Sequence, residues 1–338
     1  MKNLLFLIIK FFIFLIILGF SAWTFMAIYY IAPFGQSTNI IVAFLTCIVL
    51  LLIYFQKKPY FKRLLTTFIF IIIILAWYSS IKPRTDRNWA DDVGKLPTVE
   101  ISQDIITISN IRAFNYRSET DYDINYITNK YDLEKLFSVD MFLNYWGSPH
   151  IAHPILSFGF TDGQQLAISI ETRKKKGDAY SAIKGFFKAY ELIYIPALET
   201  DIVRLRTNFR KEDTYLYRLV TPPDKARLLL LNYIKRIEDL NNQPEFYNAA
   251  TNNCTTNVFF SFKNFRHLLK MNYKVLLSGH LDEFAYTAEA LYKEISFDEL
   301  KSKSYISKKA QVLPEKDFSK EIRKGLLVPK KLININQF

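Results

Sequence analysis

The first 81 residues contain no aspartate or glutamate, and nothing else in the chain constrains its fold as strongly. Within them lie three apolar stretches, Leu4 to Ile31, Ile40 to Phe55 and Leu64 to Ile81. A membrane-spanning helix needs about 20 apolar residues. The first stretch exceeds that, and the other two are near the short limit. Lys10 lies close enough to one end to snorkel its ammonium to the interface. The pattern predicts three transmembrane helices over residues 1–81, and two further apolar segments after the first exclude a cleaved signal peptide. Lys2 precedes the first stretch, and Lys57, Lys58, Lys62 and Arg63 fill the gap between the second and third. The positive-inside rule therefore places the N-terminus and that gap in the cytoplasm, and the rest of the chain outside it. Lys82, Arg84 and Arg87 oppose this assignment mildly.

The remainder reads as a tether over residues 82–98, marked by Pro83 and Pro97, then one domain over residues 99–330. The formal charge of +12 divides evenly between the first 81 residues and the rest. The domain's charge is too balanced for a nucleic-acid binder, while a mild positive surplus beside a bilayer suits anionic head groups. Of the two cysteines, Cys47 lies in an apolar stretch, so Cys254 has no disulfide partner in the domain.

Val99–Ser102 and Ile105–Ser109 read as a hairpin, Arg112–Tyr126 as loop and Ser138–Trp146 as a strand. Pro154–Phe160 and Gln164–Glu171 flank Thr161-Asp162-Gly163, a three-residue hairpin loop ending in glycine. That loop pairs residues whose numbers sum to 324 and sets His153 opposite Glu171. Leu156, Phe158, Phe160, Leu166, Ile168 and Ile170 then share a core face. His153, Ile155, Ser157, Gly159, Ala167, Ser169 and Glu171 share the other, which is small and polar. Lys184–Lys188 reads as helix or turn. Ala189–Ile195 and Ile202–Arg206 read as a second strand pair. Pro223–Asn241 reads as a helix with Leu228, Leu231, Ile234 and Ile237 on its apolar face. A further helix follows Cys254, with Asn252 or Asn253 as cap and Val258, Phe259, Phe262, Phe265 and Leu269 as its stripe.

A cysteine at a helix start is where a thiolate forms most easily. An imidazole beside it can hold the proton, and a carboxylate behind the imidazole fixes its tautomer. Cys254, His153 and Glu171 supply these types. The alternatives remain open: Cys254 as a small core residue, His150 in place of His153, Glu171 as an ion-pair partner of Arg173, and Ser157 or Ser169 behind the imidazole. His267 and His280 read as surface residues. The two nearby histidines lack third and fourth ligands for a metal, and no nucleotide-binding glycine motif occurs. The order His, carboxylate, Cys points to an α+β domain, an antiparallel sheet with helices, in a circularly permuted papain-like arrangement.

Several motifs in order carry a wider likeness: Tyr145-Trp-Gly-Ser-Pro-His-Ile-Ala-His153, Ser157-Phe-Gly-Phe160, Leu166–Lys174, Tyr190-Glu-Leu-Ile-Tyr194, Val203-Arg-Leu-Arg206 and Asn253-Cys-Thr-Thr256. Across residues 88 to 328 the chain resembles the Lnb N-terminal periplasmic domain family. One departure is that three membrane segments precede the domain here, whereas the acyltransferases of the family carry theirs after it. The resemblance implies a bacterial envelope enzyme in the cytoplasmic membrane with its domain on the periplasmic side. It implies a lipoprotein N-acyltransferase, moving a fatty acyl chain from phospholipid through a Cys254 thioester to the α-amino group of a lipidated N-terminal cysteine. The implied partners are the phospholipid donor, a diacylglyceryl lipoprotein acceptor and the bilayer, with no cofactor. Cys254 and His153 carry the family's catalytic pair, with Glu171 and Asn253 in support. Ser157, Ser169, Tyr145, Trp146, Arg173 and Tyr190 are the expected substrate-binding residues. The rivals are a membrane-anchored thiol peptidase or amidase using the same residues, and an envelope scaffold with an inert thiol.

Overall fold

The computed structural model describes residues 2–263 and 270–330. The chain divides into two compact units. The first holds residues 1–85 together with 180–191 and 246–249, and the second holds everything else.

The first unit is built on helices α1 (Lys2–Ile31), α2 (Gln36–Phe55) and α3 (Tyr60–Ser80). All three are long and apolar enough to cross a membrane. They form an antiparallel hairpin series, with Ile17, Leu50 and Tyr54 in their shared core. Asn39 closes the first turn by donating its amide to the Ala32 carbonyl at 2.7 Å. Most other large apolar side chains on these helices face outward, the reverse of a water-soluble bundle.

The second unit is a mixed sheet with helices on both faces. Its strands are β1 (Thr98–Ser102), β2 (Ile105–Arg112), β3 (Asn115–Tyr116), β4 (Tyr122–Asp123), β5 (Tyr126–Asp132), β6 (Leu136–Tyr145), β7 (Ala152–Phe160), β8 (Gln165–Arg173), β9 (Glu191–Ala197) and β10 (Asp213–Arg218). The main sheet runs β1-β2-β9-β8-β7-β6-β10, with β5 also on β2, while β3 and β4 pair apart. The sheet is not purely antiparallel, because β2 meets β9 in parallel at Arg112 and Ala197. The β7–β8 hairpin has the expected register: Ile155 faces Ser169 and Ser157 faces Ala167. Gly163 ends its loop at φ +89°, a conformation glycine adopts without a Cβ clash.

The helices are α4 (Glu199–Arg204), α5 (Pro223–Asn242), α6 (Cys254–Lys263), α7 (Tyr273–Leu276), α8 (Leu281–Thr287), α9 (Phe297–Ser304), α10 (Ser307–Val312) and α11 (Phe318–Ile322). On one sheet face α5 packs Tyr233 edge-on to Phe158 and Tyr194. On the other, Ile155 and Ala167 join Ile202 and Val203 of α4, Ala310 of α10 and Phe318 and Ile322 of α11 in a second core. The small, polar face of the hairpin is therefore buried, because the C-terminal helices cover it.

Three expectations are corrected. Ile202–Arg206 is not a strand: it is α4 running into a wider turn at Leu205–Phe209. The alternation in Val203-Arg-Leu-Arg imitates a strand, but Ile202, Val203 and Leu205 are all buried, which a helix pressed on the sheet achieves and an alternating strand does not. Arg112–Tyr126 is not all loop, since the short β3–β4 ribbon pairs Tyr116 with Tyr122. Leu228 is exposed, and α5 buries Leu229, Leu230, Tyr233, Ile234 and Ile237 instead. The strands β5 and β10 had no counterpart in the sequence reading. Phe265, His267 and Leu269 lie outside the described residues.

Candidate active site

Cys254 is the first residue of α6, and the residue before it is the helix cap. Asn253 accepts the Thr256 backbone N–H on Oδ1 at 2.9 Å. In return the Thr256 hydroxyl accepts the Asn253 backbone N–H at 2.9 Å. This reciprocal box satisfies two of the donors that a helix start leaves unpaired. Asn257, one turn on, ties its amide to Asn252 Oδ1 and to the Asn253 carbonyl. The thiol is thus held at the positive end of the helix dipole by a run of asparagines and threonines whose hydrogen bonds are local.

His153 approaches from β7 and is buried. The Cys254 side chain is among the neighbours that favour its charged form. On its other side, Nε2 lies 2.7 Å from Ser169 Oγ and 3.2 Å from Glu171 Oε1. Ser169 and Glu171 stand on the paired strand β8. The Ser169 hydroxyl donates to Glu171 Oε1 at 2.7 Å. A hydroxyl has one proton, so towards His153 it must accept. Nε2 therefore carries a proton, and Nδ1 is the basic nitrogen of the neutral ring.

Arg206 closes the back of the site. It donates to Glu171 Oε1 at 3.2 Å, and its other nitrogen reaches Glu212 Oε2 at 3.2 Å. Glu171 Oε1 thus gathers three neighbours, from Ser169, Arg206 and His153. Burial works against a charge on either His153 or Glu171. Their mutual attraction outweighs it, so Glu171 sits well below the usual carboxylate range and His153 is raised to about 9. Arg206 opposes the imidazolium and supports the carboxylate. The resting site therefore holds an imidazolium beside the thiol at neutral pH.

The other residues singled out by sequence fall elsewhere. His150 is hydrogen-bonded to His280, Nδ1 to Nε2, at 2.9 Å. His280 is also 3.4 Å from Glu283, so it is a partnered side chain and not a bare surface one. Ser157 is fully buried and donates to Glu199 at 2.5 Å. Arg173 does not pair with Glu171: it donates to the Val93 and Gly94 carbonyls and lies 4.4 Å over the Trp89 ring. Tyr145 has its hydroxyl 2.9 Å from the buried Asp282, where Lys301 also donates to it. Trp146 is part-exposed at the end of β6. Tyr190 is buried in the first unit, and its hydroxyl accepts the Ser181 N–H.

Sequence reasoning missed Arg206 as a site residue. Its signal lay in the Val203-Arg-Leu-Arg206 motif, but a strand reading gave it no route to Glu171. Tyr233 was also passed over. It is fully buried, its hydroxyl has no hydrogen-bond partner among the described residues, and burial followed by the fields of Tyr194 and Cys254 holds its pKa well up.

No curated protein and no solved structure matches this sequence. Residues 122–287, which contain His153, Ser169, Glu171, Arg206 and Cys254, match the family described as the Lnb N-terminal periplasmic domain, in a chain whose first 80 residues form three helices long and apolar enough to cross a membrane.

Proposed function

We propose that the protein is a lipoprotein N-acyltransferase working through a Cys254 thioester. The observation that carries the reading is a thiol at a capped helix start, with a buried histidine held by Ser169 and Glu171, in a chain with three membrane-length helices. In this reading the chain is a multi-pass protein of the bacterial cytoplasmic membrane, and residues 99–330 form the periplasmic catalytic domain. Its arrangement is papain-like with the helix carrying Cys after the histidine strand.

In the reactive form the His153 imidazolium faces the Cys254 thiolate. The thiolate attacks the carbonyl carbon of a phospholipid ester, forming a C–S bond. The Cys254 backbone N–H and the Asn253 amide donate to the oxyanion, each worth about 3 kcal/mol to the transition state. The C–O bond then breaks, and the lysolipid oxygen takes the His153 proton. His153, now neutral, accepts a proton at Nδ1 from the lipoprotein α-amine as that amine attacks the thioester. The C–N bond forms, the C–S bond breaks, and the imidazolium–thiolate pair returns. Glu171, Ser169 and Arg206 hold the ring and its Nε2 proton throughout. Tethering places the enzyme where both lipid substrates are concentrated.

An apolar hollow of about 40 Å³ beside α6 is lined by Val258, Phe259, Phe262, Leu281 and Phe284. That is little more than one water's share of liquid, ~30 Å³. An acyl chain cannot occupy it as it stands.

The test is the intact mass of the membrane protein after incubation with phospholipid, wild type beside Cys254→Ser. A hydroxylamine-sensitive fatty-acyl adduct on the wild type only supports the reading. No adduct on a thiol that alkylates readily overturns it in favour of a peptidase or amidase, and an inert thiol favours a scaffold.

A further inference from the structure

Within the first unit, the segment 180–191 packs against the ends of two of the apolar helices. Phe187 is buried, with its ring 5.6 Å from Tyr30 and 6.4 Å from Trp23 of α1. The next residue, Lys188, reaches the C-terminal end of α3. Its ammonium donates to the carbonyls of Tyr78 at 2.9 Å and Ile81 at 3.0 Å, and lies 4.9 Å over the Tyr78 ring. The Tyr78 carbonyl accepts only the long capping bond from Ile81 N–H at 3.4 Å, and a cation there also meets the negative end of the dipole.

The preceding turn is held rigidly. Gly185 N–H bonds to the Ser181 carbonyl and Phe186 N–H to that of Ile183. The Gly185 carbonyl accepts the Ala249 N–H at 2.8 Å. Residues 184–186 form a 3₁₀ turn, in which side chains three apart eclipse. Ile183 and Phe186 therefore share one side, and they are 53% and 52% exposed. Two exposed apolar side chains on a fixed turn lose little conformational freedom on insertion.

The height of this turn follows from α3. Its 21 residues extend ~31 Å, the thickness of a bilayer's hydrocarbon core. Tyr78, in its last turn, is level with Trp23 of α1, the rings lying 4.8 Å apart. Trp and Tyr at that depth mark the membrane–water boundary. Phe187 and Lys188 fasten the turn to these same two residues.

We propose that the 180–188 turn is a lipid-inserting element, with Ile183 and Phe186 entering the outer-leaflet boundary between head groups and acyl chains. The occupant is the phospholipid bilayer that holds α1–α3. The proposal rests on those helices spanning it and does not depend on the acyltransferase chemistry. The turn grips the outer ends of α1 and α3, so it works as a fixed depth gauge for the segment it belongs to.

The experiment uses the full chain in phospholipid vesicles, in a Cys47→Ala, Cys254→Ser background. Ile183→Cys, Phe186→Cys and, as a control on the exposed hairpin loop, Thr161→Cys each receive a nitroxide. Collision with oxygen, which partitions into lipid, is compared with collision with a water-soluble nickel chelate. The expected result is an oxygen-to-nickel ratio several-fold higher at 183 and 186 than at 161. Ratios at 183 and 186 equal to the control overturn the proposal. So does shielding from both reagents that persists in detergent, which would show a protein contact in place of lipid.

Discussion

Two buried charge networks hang from one face of the same strand, four residues apart, and only one of them can change its charge. At the open end of β7, His153 meets Ser169, Glu171, Arg206 and Glu212. Further along, Ser157 meets Glu199, which Arg323 clamps while also holding Asp140, itself paired with Arg218. Both use the same parts: a serine hydroxyl on the hairpin, a glutamate behind it and an arginine behind that. The second contains two carboxylates and two guanidiniums, and burial fails to lift Asp140 because Arg323 and Arg218 hold it low. It pins the C-terminal helices to the sheet. The first has an imidazole where the second has no titrating group, and its free side faces a thiol. A folding clamp becomes a reactive site by that one exchange.

The comparison breaks most sharply at Cys254. Cys254→Ser should lower acyl transfer by on the order of 10⁴-fold while leaving the melting temperature in place, read by turnover and calorimetry side by side. Arg323→Ala should do the opposite. It leaves the fully buried Glu199 without a cation and Asp140 with Arg218 alone, and should cost about 3–5 kcal/mol in denaturant unfolding, enough to unfold a marginal domain. A soluble, active Arg323→Ala protein would remove the distinction between clamp and site.

Glu171→Gln sharpens the contrast within the first network. Without the carboxylate, burial and Arg206 both disfavour the imidazolium, so His153 should fall from about 9 to below its ordinary range. Alkylation of Cys254 near pH 7 should slow by on the order of 10²-fold, with the rate recovering as pH rises. An unchanged pH profile would show that Glu171 does not set the charge of His153.

Stability against pH separates the two partners of the first network by sign. His153 is raised in the folded state, so its contribution is complete below about 6.5 and is lost as pH rises through about 9. Glu171 is lowered, so its contribution is present above the unfolded carboxylate range and is lost only in acid. Wild-type unfolding free energy should therefore decline by up to about 3 kcal/mol between pH 6.5 and 9, and His153→Gln should flatten that slope. The smallest effect is expected at Tyr233. Removing its unpartnered hydroxyl in Tyr233→Phe should leave stability unchanged or raise it by about 1 kcal/mol, measured by urea titration.

What the sequence disclosed was local. The Thr161-Asp162-Gly163 loop fixed a register, and that register brought His153, Ser169 and Glu171 together. The apolar stripe after Cys254, with Asn252 or Asn253 ahead of it, announced a helix start, and Asn253 is the cap. The apolar length of residues 4–81 gave three helices. What stayed hidden depended on distant partners. Arg206 reaches Glu171 only because α4 is a helix, a choice made by the core it packs against and not by its own alternating sequence. Ser157 was grouped with the site by face alone. The partner that takes it away, Glu199, is clamped by Arg323 from the far end of the chain.

The same division between near and far governs when the thiol becomes dangerous. The imidazole and its carboxylate meet across a three-residue loop, a closure that takes place early and at little entropic cost. Cys254 must return from a hundred residues away. Until it does, a partly folded chain has its histidine–glutamate pair in place and no thiol beside it. Chemical competence is thus the last property the domain acquires. On the proposed acyl-transfer reading, a chain that has not finished folding would be unable to acylate itself.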